Sequence, residues 1–293
     1  MEKENPPVKV LITGAAGQLG ADLVRVLGDG GCQVIPAGRA DFDITDLEAT
    51  VKFIAGAQPD AVVHSAAFTD VDACESQREK AFAVNGLGAR NVAVAARKVD
   101  AKLFYISTDY VFDGLKEGPY FEFDRPNPLN VYGRSKLWGE ELVKEQLQKF
   151  FIIRTAWLYG RVGRNFVKTM LMLGREKGEL QVVNDQRGTP TYTGDLALQI
   201  KELLPTELYG TYHCSSQGAC TWYEFAVEIF RLAGLSVRVE PVTSEEFRRP
   251  AKRPKNSVLE NFALKLEGLD IMPHWKESLE KFMRAFKREE MIL

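Results

Sequence analysis

The sequence predicts an α/β fold: a doubly wound parallel sheet with a smaller C-terminal α+β lobe. Three observations predict it. A short apolar run at residues 8–12 ends in Gly14-Ala15-Ala16-Gly17-Gln18-Leu19-Gly20, and a helical pattern follows at once. Similar runs then alternate with helical patterns as far as residue 155, the rhythm of right-handed βαβ units. The runs also lack a polar alternate face, as strands buried on both sides do.

Strand one is expected at residues 8–12, where β-branched residues dominate, and Leu19, Leu23, Val26 and Leu27 then recur at helical spacing. Further strands are expected at 33–36, 61–64, 103–107 and 151–155, with helices at 46–57, 77–98 and 131–149. Past residue 155 the rhythm changes. A helix at 165–176 leads to an apolar run at 180–183 and a helix at 195–204. Segments at 209–214, 222–233 and 237–239 follow, then an amphipathic terminal helix at 273–287. Residues 1–155 therefore read as a Rossmann-type dinucleotide-binding domain, to whose sheet some later segments return. Residues 156–293 read mainly as a second lobe.

Composition narrows the function classes. The chain has 293 residues, 45% hydrophobic and 27% charged, as in globular proteins with ample core. A formal net charge of -2 gives no sign of nucleic-acid binding. The one dense basic stretch, 248–255, reads as a solvated loop or an anion contact. Cys32, Cys74, Cys214 and Cys220 show no C-x-x-C spacing, and His64, His213 and His274 are scattered, so neither a disulfide framework nor a zinc site is indicated. Residues 1–7 are too polar for a signal peptide, and no apolar run approaches a membrane span. A cytoplasmic protein with reduced thiols is expected.

The glycine motif carries the first half of the chemistry. One glycine permits a tight turn, another lets the backbone approach phosphate, and a third allows close helix–strand packing. Amides at the helix N-terminus then face the anion. Gly14, Gly17, Gln18, Leu19 and Gly20 are the expected pyrophosphate contacts. After strand two, Arg39 reads as the acceptor of a 2′-phosphate or as an exposed loop arginine. This favours NADPH over NADH, with dual use left open. Asp43 and Ile44 are placed to flank adenine, and Ser65, Ala66 and Ala67 to pass beneath a ribose.

Tyr132 and Lys136 carry the second half. A phenol has a reference pKa of about 10, and a nearby ammonium favours its phenolate. Residues at i and i+4 share one helix face, so both groups can reach one reacting centre. Thr108 follows strand four at the carboxyl edge, where doubly wound sheets bind ligands, and can hydrogen-bond a carbonyl beside Tyr132. Each residue alone has a plainer reading as a strand end or a surface side chain. Together, in this order, they predict hydride transfer to or from a carbonyl.

At these residues the chain resembles the extended short-chain dehydrogenase/reductase superfamily, to which the spacing Gly14-x-x-Gly17-x-x-Gly20 also points. Within it, nearly the whole chain is similar to the dTDP-4-dehydrorhamnose reductase family. The likeness runs through Ala66-Ala67-Phe68-Thr69-Asp70-Val71-Asp72, Ser107-Thr108-Asp109-Tyr110-Val111-Phe112 and Asn130-Val131-Tyr132-Gly133-Arg134-Ser135-Lys136. More specific to this branch are Arg154-Thr155-Ala156-Trp157-Leu158-Tyr159-Gly160, Asn184-Asp185-Gln186-Arg187-Gly188-Thr189-Pro190-Thr191 and Arg253-Pro254-Lys255-Asn256-Ser257-Val258-Leu259.

The resemblance implies NADPH-dependent reduction of the C4 keto group of dTDP-4-dehydro-L-rhamnose to dTDP-L-rhamnose, with residues 156–293 mainly binding the sugar nucleotide. Tyr132 would donate the proton, and Lys136 would hold the nicotinamide ribose and lower the Tyr132 pKa. Thr108 and Asp109 would contact the hexose, and Trp157 would pack against it or serve the core. Asn165, Lys168, Gln186 and Arg187 would serve the nucleotide end. Some family members hold magnesium with glutamates at a dimer interface; Asp22 and Glu202 do not stand as equivalents, so no metal ligand is assigned, magnesium dependence is not carried over, and monomer and homodimer both remain open.

Two other classes compete. A 4,6-dehydratase would need a glutamate where Thr108-Asp109-Tyr110 has none, and a 4-epimerase that retains NAD fits Arg39 poorly. A non-catalytic regulatory subunit, like the methionine adenosyltransferase β subunit, shares the fold; Trp157 argues for catalysis instead.

Overall fold

The computed structural model describes residues 6–290, so residues 1–5 of the polar N-terminal stretch lie outside it. The chain begins with β1 (Lys9–Thr13), α1 (Gln18–Asp29), β2 (Gln33–Ala37), α2 (Leu47–Ala57) and β3 (Ala61–His64). Next come α3 (Val71–Ser76), α4 (Arg78–Phe82), a π-helical turn at Ala83–Leu87, α5 (Gly88–Lys98) and β4 (Lys102–Thr108). A 3₁₀ turn at Asp109–Val111 precedes α6 (Val131–Gln146) and β5 (Phe150–Thr155). The second half adds β6 (Leu158–Tyr159), α7 (Phe166–Glu176), β7 (Glu179–Val183), β8 (Arg187–Gly188), β9 (Thr191–Tyr192) and α8 (Thr193–Leu203). It closes with β10 (Gly210–His213), β11 (Cys220–Thr221), α9 (Trp222–Ala233), β12 (Arg238–Val242), α10 (Phe262–Leu266) and α11 (Trp275–Glu290).

Six parallel strands form the central sheet in the order β10-β5-β4-β3-β1-β2. Successive side chains go to opposite faces, which explains the unbroken apolar runs. Val10, Ile12, Phe104, Ile106, Phe151 and Ile153 pack with α1 and α8 on one face. Leu11, Val62, Leu103, Tyr105 and Ile152 pack with α2, α5 and α6 on the other. Thus β10 and α8 return from the second half to complete the sheet layer. A separate core joins α7, α9 and α11.

Two expected helices differ in detail. The helix expected at 77–98 runs from Arg78 to Lys98 with the π turn inside it, and α3 precedes it. Asn85 in that turn accepts from Phe68 N at 2.8 Å and donates to Ser135 Oγ at 2.9 Å. These tertiary bonds hold the widened turn. The helix expected at 131–149 stops at Gln146, because Leu147 is extended (φ -142, ψ 139).

Candidate active site

A cleft of about 1010 Å³ lies at the carboxyl ends of β1, β3, β4 and β5, and the second half supplies its far wall. The glycine turn forms its floor. Gly14 has φ +68, and a Cβ there would stand 2.8 Å from Ala66 N, so the turn and the exit of β3 touch only because the residue is glycine. Gly20 lies below the cleft rather than in its wall. A Cβ on it would come within 2.1 Å of Gly14 O, so this glycine lets α1 approach the turn. Gly17 is the N-cap of α1 and caps nothing with a side chain, which leaves first-turn amides for an anion.

Gln18, Leu19, Arg39, Asp43 and Ile44 line the same cleft, as do Ser65, Ala66 and Ala67. Backbone and side-chain hydrogen bonds from Thr45 hold the Asp43 carboxyl below its ordinary range, with Arg39 assisting. The Ser65 hydroxyl donates to Thr13 O at 2.6 Å, which ties the ends of β1 and β3 together. The volume, the glycine turn, the uncapped helix end and exposed Arg39 together fit a dinucleotide carrying a 2′-phosphate.

Tyr132, Lys136, Thr108 and Asp109 converge at the other end of the cleft. Asn130 caps α6 by accepting from Gly133 N at 2.8 Å, which sets Tyr132 in the first turn. Burial pushes the Tyr132 phenol upward, a hydrogen bond with Thr108 opposes the rise, and Asp109 and Cys74 add to it. The phenol therefore stays protonated. Burial brings the Lys136 ammonium down to about 7 against the pull of Glu140. Its Nζ stands 4.0 Å from the centre of the Tyr105 ring. Burial pushes the Asp109 carboxyl up to about 7, opposed by Ser257 and Thr108, whose hydroxyl donates to Asp109 at 3.0 Å.

One buried carboxylate underpins this cluster. Glu140 lies one turn beyond Lys136 and receives Ser107 Oγ at 2.6 Å, Arg154 Nε at 2.9 Å and Arg154 Nη2 at 2.7 Å. It therefore joins α6, which carries Tyr132, to β4, which ends at Thr108, and to β5, which leads into Trp157.

Trp157 reaches the cleft from just beyond β5, with φ +45, an unfavourable conformation for a non-glycine residue. Its ring stacks on Trp222 at 3.5 Å and 6°. Asn165 also lines the cleft, donating to Gln18 Oε1 at 3.1 Å and to Gly160 O at 2.8 Å.

Three expected residues are not brought in. Lys168 donates to the Arg161 carbonyl, Gln186 is buried outside the cleft, and Arg187 lies on β8 at a smaller cavity of about 290 Å³. Trp222, Tyr110 and Arg164 line the cleft without having been anticipated. Only Tyr110 had a signal, its place directly after Thr108-Asp109. In the stretch 248–255, Arg253 pairs with Asp72 at 3.0 Å, bridging the two halves of the chain. Among the described residues no cluster of three or more His, Cys, Asp or Glu could hold a metal ion. Asp22 is engaged by Arg25 at 2.9 Å and Thr193 at 2.6 Å, and Glu202 is exposed. No helix among them is long and apolar enough to cross a membrane.

A family model described as RmlD substrate binding domain matches residues 8–288. The spore coat polysaccharide biosynthesis protein SpsK of Bacillus subtilis is 44% identical, over 94% of this chain and 97% of its own. A dTDP-4-dehydrorhamnose reductase of Streptomyces griseus is 43% identical, over 96% of this chain and 94% of its own. Among solved structures, the dTDP-4-dehydrorhamnose reductase of Bacillus anthracis in complex with NADP is 48% identical. It superposes with a TM-score of 0.94, covering 95% of this chain and 99% of that one.

Proposed function

The chain belongs to the RmlD substrate binding domain family, and on that premise we propose that it reduces the C4 keto group of dTDP-4-dehydro-L-rhamnose with NADPH, giving dTDP-L-rhamnose. The observation that carries the reading is the convergence, in one cleft, of Tyr132, Lys136 and Thr108 with the glycine turn and Trp157. A dehydratase would need a second acid beside Asp109, and Tyr110 stands there instead. Four free cysteines, three of them buried, suit a reducing cytoplasm.

Bound NADPH supplies a hydride to the carbonyl carbon. Tyr132 donates the proton to the carbonyl oxygen, for which a phenol held protonated by burial is suited. Thr108 hydrogen-bonds the same oxygen. Lys136 holds the nicotinamide ribose and stabilises the phenolate left after transfer. Arg39 receives the 2′-phosphate. Asp109 and Trp157 hold the hexose, the indole covering its apolar side. The decisive assay is NADPH oxidation by the purified protein with dTDP-4-dehydro-L-rhamnose, with the product identified. Absence of substrate-dependent oxidation by folded protein rejects the reading.

Trp157→Ala tests the sugar contact. It should raise KM for the keto-sugar, and lower kcat if the hexose shifts by about 1 Å, while NADPH affinity changes little. A wholly buried aromatic truncation costs about 3–5 kcal/mol; half-buried Trp157 should cost less. Denaturation midpoint, NADPH titration and sugar kinetics on the one variant separate the roles. A large stability loss with unchanged sugar kinetics assigns the indole to the core.

A further inference from the structure

We propose that Arg164, from the loop between β6 and α7, is the cation that binds the dinucleotide pyrophosphate, so that the second half of the chain completes the cofactor site. The inference rests on the dinucleotide-binding reading above. The glycine turn supplies backbone amides but no charge: residues 14–20 contain no lysine or arginine. A pyrophosphate seated on α1 would bring two negative charges to a place where the Rossmann half offers only dipoles.

Four cations line the cleft: Arg39, Lys80, Lys136 and Arg164. Three are committed elsewhere. Arg39 follows β2 at the adenosine end, Lys80 lies 4.4 Å from the Phe68 ring centre and Lys136 stands over Tyr105. Arg164 alone is tied to the glycine motif. Gln18 Nε2 donates to Arg164 O at 3.3 Å, while the neighbouring Asn165 donates to Gln18 Oε1. Both ends of the Gln18 amide are thus used to hold residues 164–165 at the N-terminus of α1. The Arg164 side chain is exposed and has no hydrogen bond or ion pair among the described residues. A guanidinium in that position suits a bidentate phosphate contact.

The test is fluorescence titration of NADPH, NADH and dTDP against the parent protein, Arg164→Ala, Arg164→Lys and Arg39→Ala, with thermal unfolding of each. Arg164→Ala should weaken NADPH and NADH alike by about 10- to 100-fold, the loss of one charge-assisted contact. It should leave dTDP affinity and the unfolding midpoint unchanged, and Arg164→Lys should recover part of the loss. Arg39→Ala should weaken NADPH selectively. Parent-like binding of both dinucleotides by Arg164→Ala overturns the inference, as does a loss confined to NADPH, which would assign Arg164 to the 2′-phosphate. A loss confined to dTDP also overturns it, by moving the residue to the substrate. Failure of the parent protein to bind either dinucleotide would instead reject the cofactor reading itself.

Discussion

Tyr132→Phe should bind NADPH as the parent does and lose about 10²–10⁴-fold in kcat, the range that general acid catalysis supplies. The substitution removes one oxygen and leaves the ring, which packs edge-on against Tyr110 at 5.9 Å between centres. The environment argues for a donor rather than a resident anion, because burial and the Asp109 carboxyl both disfavour the phenolate. Reduction of a ketone needs a proton at the oxygen as the carbon is reduced, and Thr108 is the one neighbouring hydroxyl that shares the bond to Tyr132. Single-turnover measurement at saturating NADPH isolates the chemical step. Parent-like turnover in that regime would remove Tyr132 from the acid's role. A kcat loss together with an equal loss of NADPH affinity would point to displaced cofactor.

Glu140→Ala should cost about 3–5 kcal/mol of stability, the largest such effect expected from one substitution here. The carboxylate is fully buried, its two oxygens accept three hydrogen bonds, and its removal strands the equally buried Arg154 guanidinium. The penalty comes mainly from that orphaned charge. Exchanging both partners, Glu140→Met with Arg154→Met, should therefore cost less than Glu140→Ala alone, since the double change buries no ion. Chemical denaturation of the single and double variants decides it. If the double variant is as unstable as the sum of the singles, the pair contributes through packing, not through the charge left behind.

Much of the fold was legible because burial on both faces writes parallel strands as plain apolar runs: Ala61-Val62-Val63-His64 occupies the strand range expected from it. The glycine motif and the Tyr132–Lys136 spacing were legible for a related reason, since each depends on contacts a few residues apart. What escaped depends on distant partners. The π turn at Asn85 is held by Phe68, Ser135 and Tyr105, which a local helical pattern cannot reveal. Trp222 looks like an ordinary helix start after Thr221, and only the folded chain lays it on Trp157. Lys168 and Arg187 were expected at the nucleotide end, yet the Lys168 ammonium turns to the Arg161 carbonyl and Arg187 lines the smaller cavity.

The return of β10 to the sheet has a consequence for how the protein is made. The strand pairs with β5, whose Phe150-Phe151-Ile152-Ile153 is among the most apolar edges in the chain. Synthesis is vectorial, so β5 leaves the ribosome with its outer backbone groups unpaired until about sixty further residues have been added. During that interval a nascent chain presents an open, sticky edge of the kind that recruits other strands. Growth of the second half is thus also protection of the first, and a message cut near codon 155 would release a sheet lacking its cover. The interleaving makes the whole chain, rather than its cofactor-binding part, the unit that escapes aggregation.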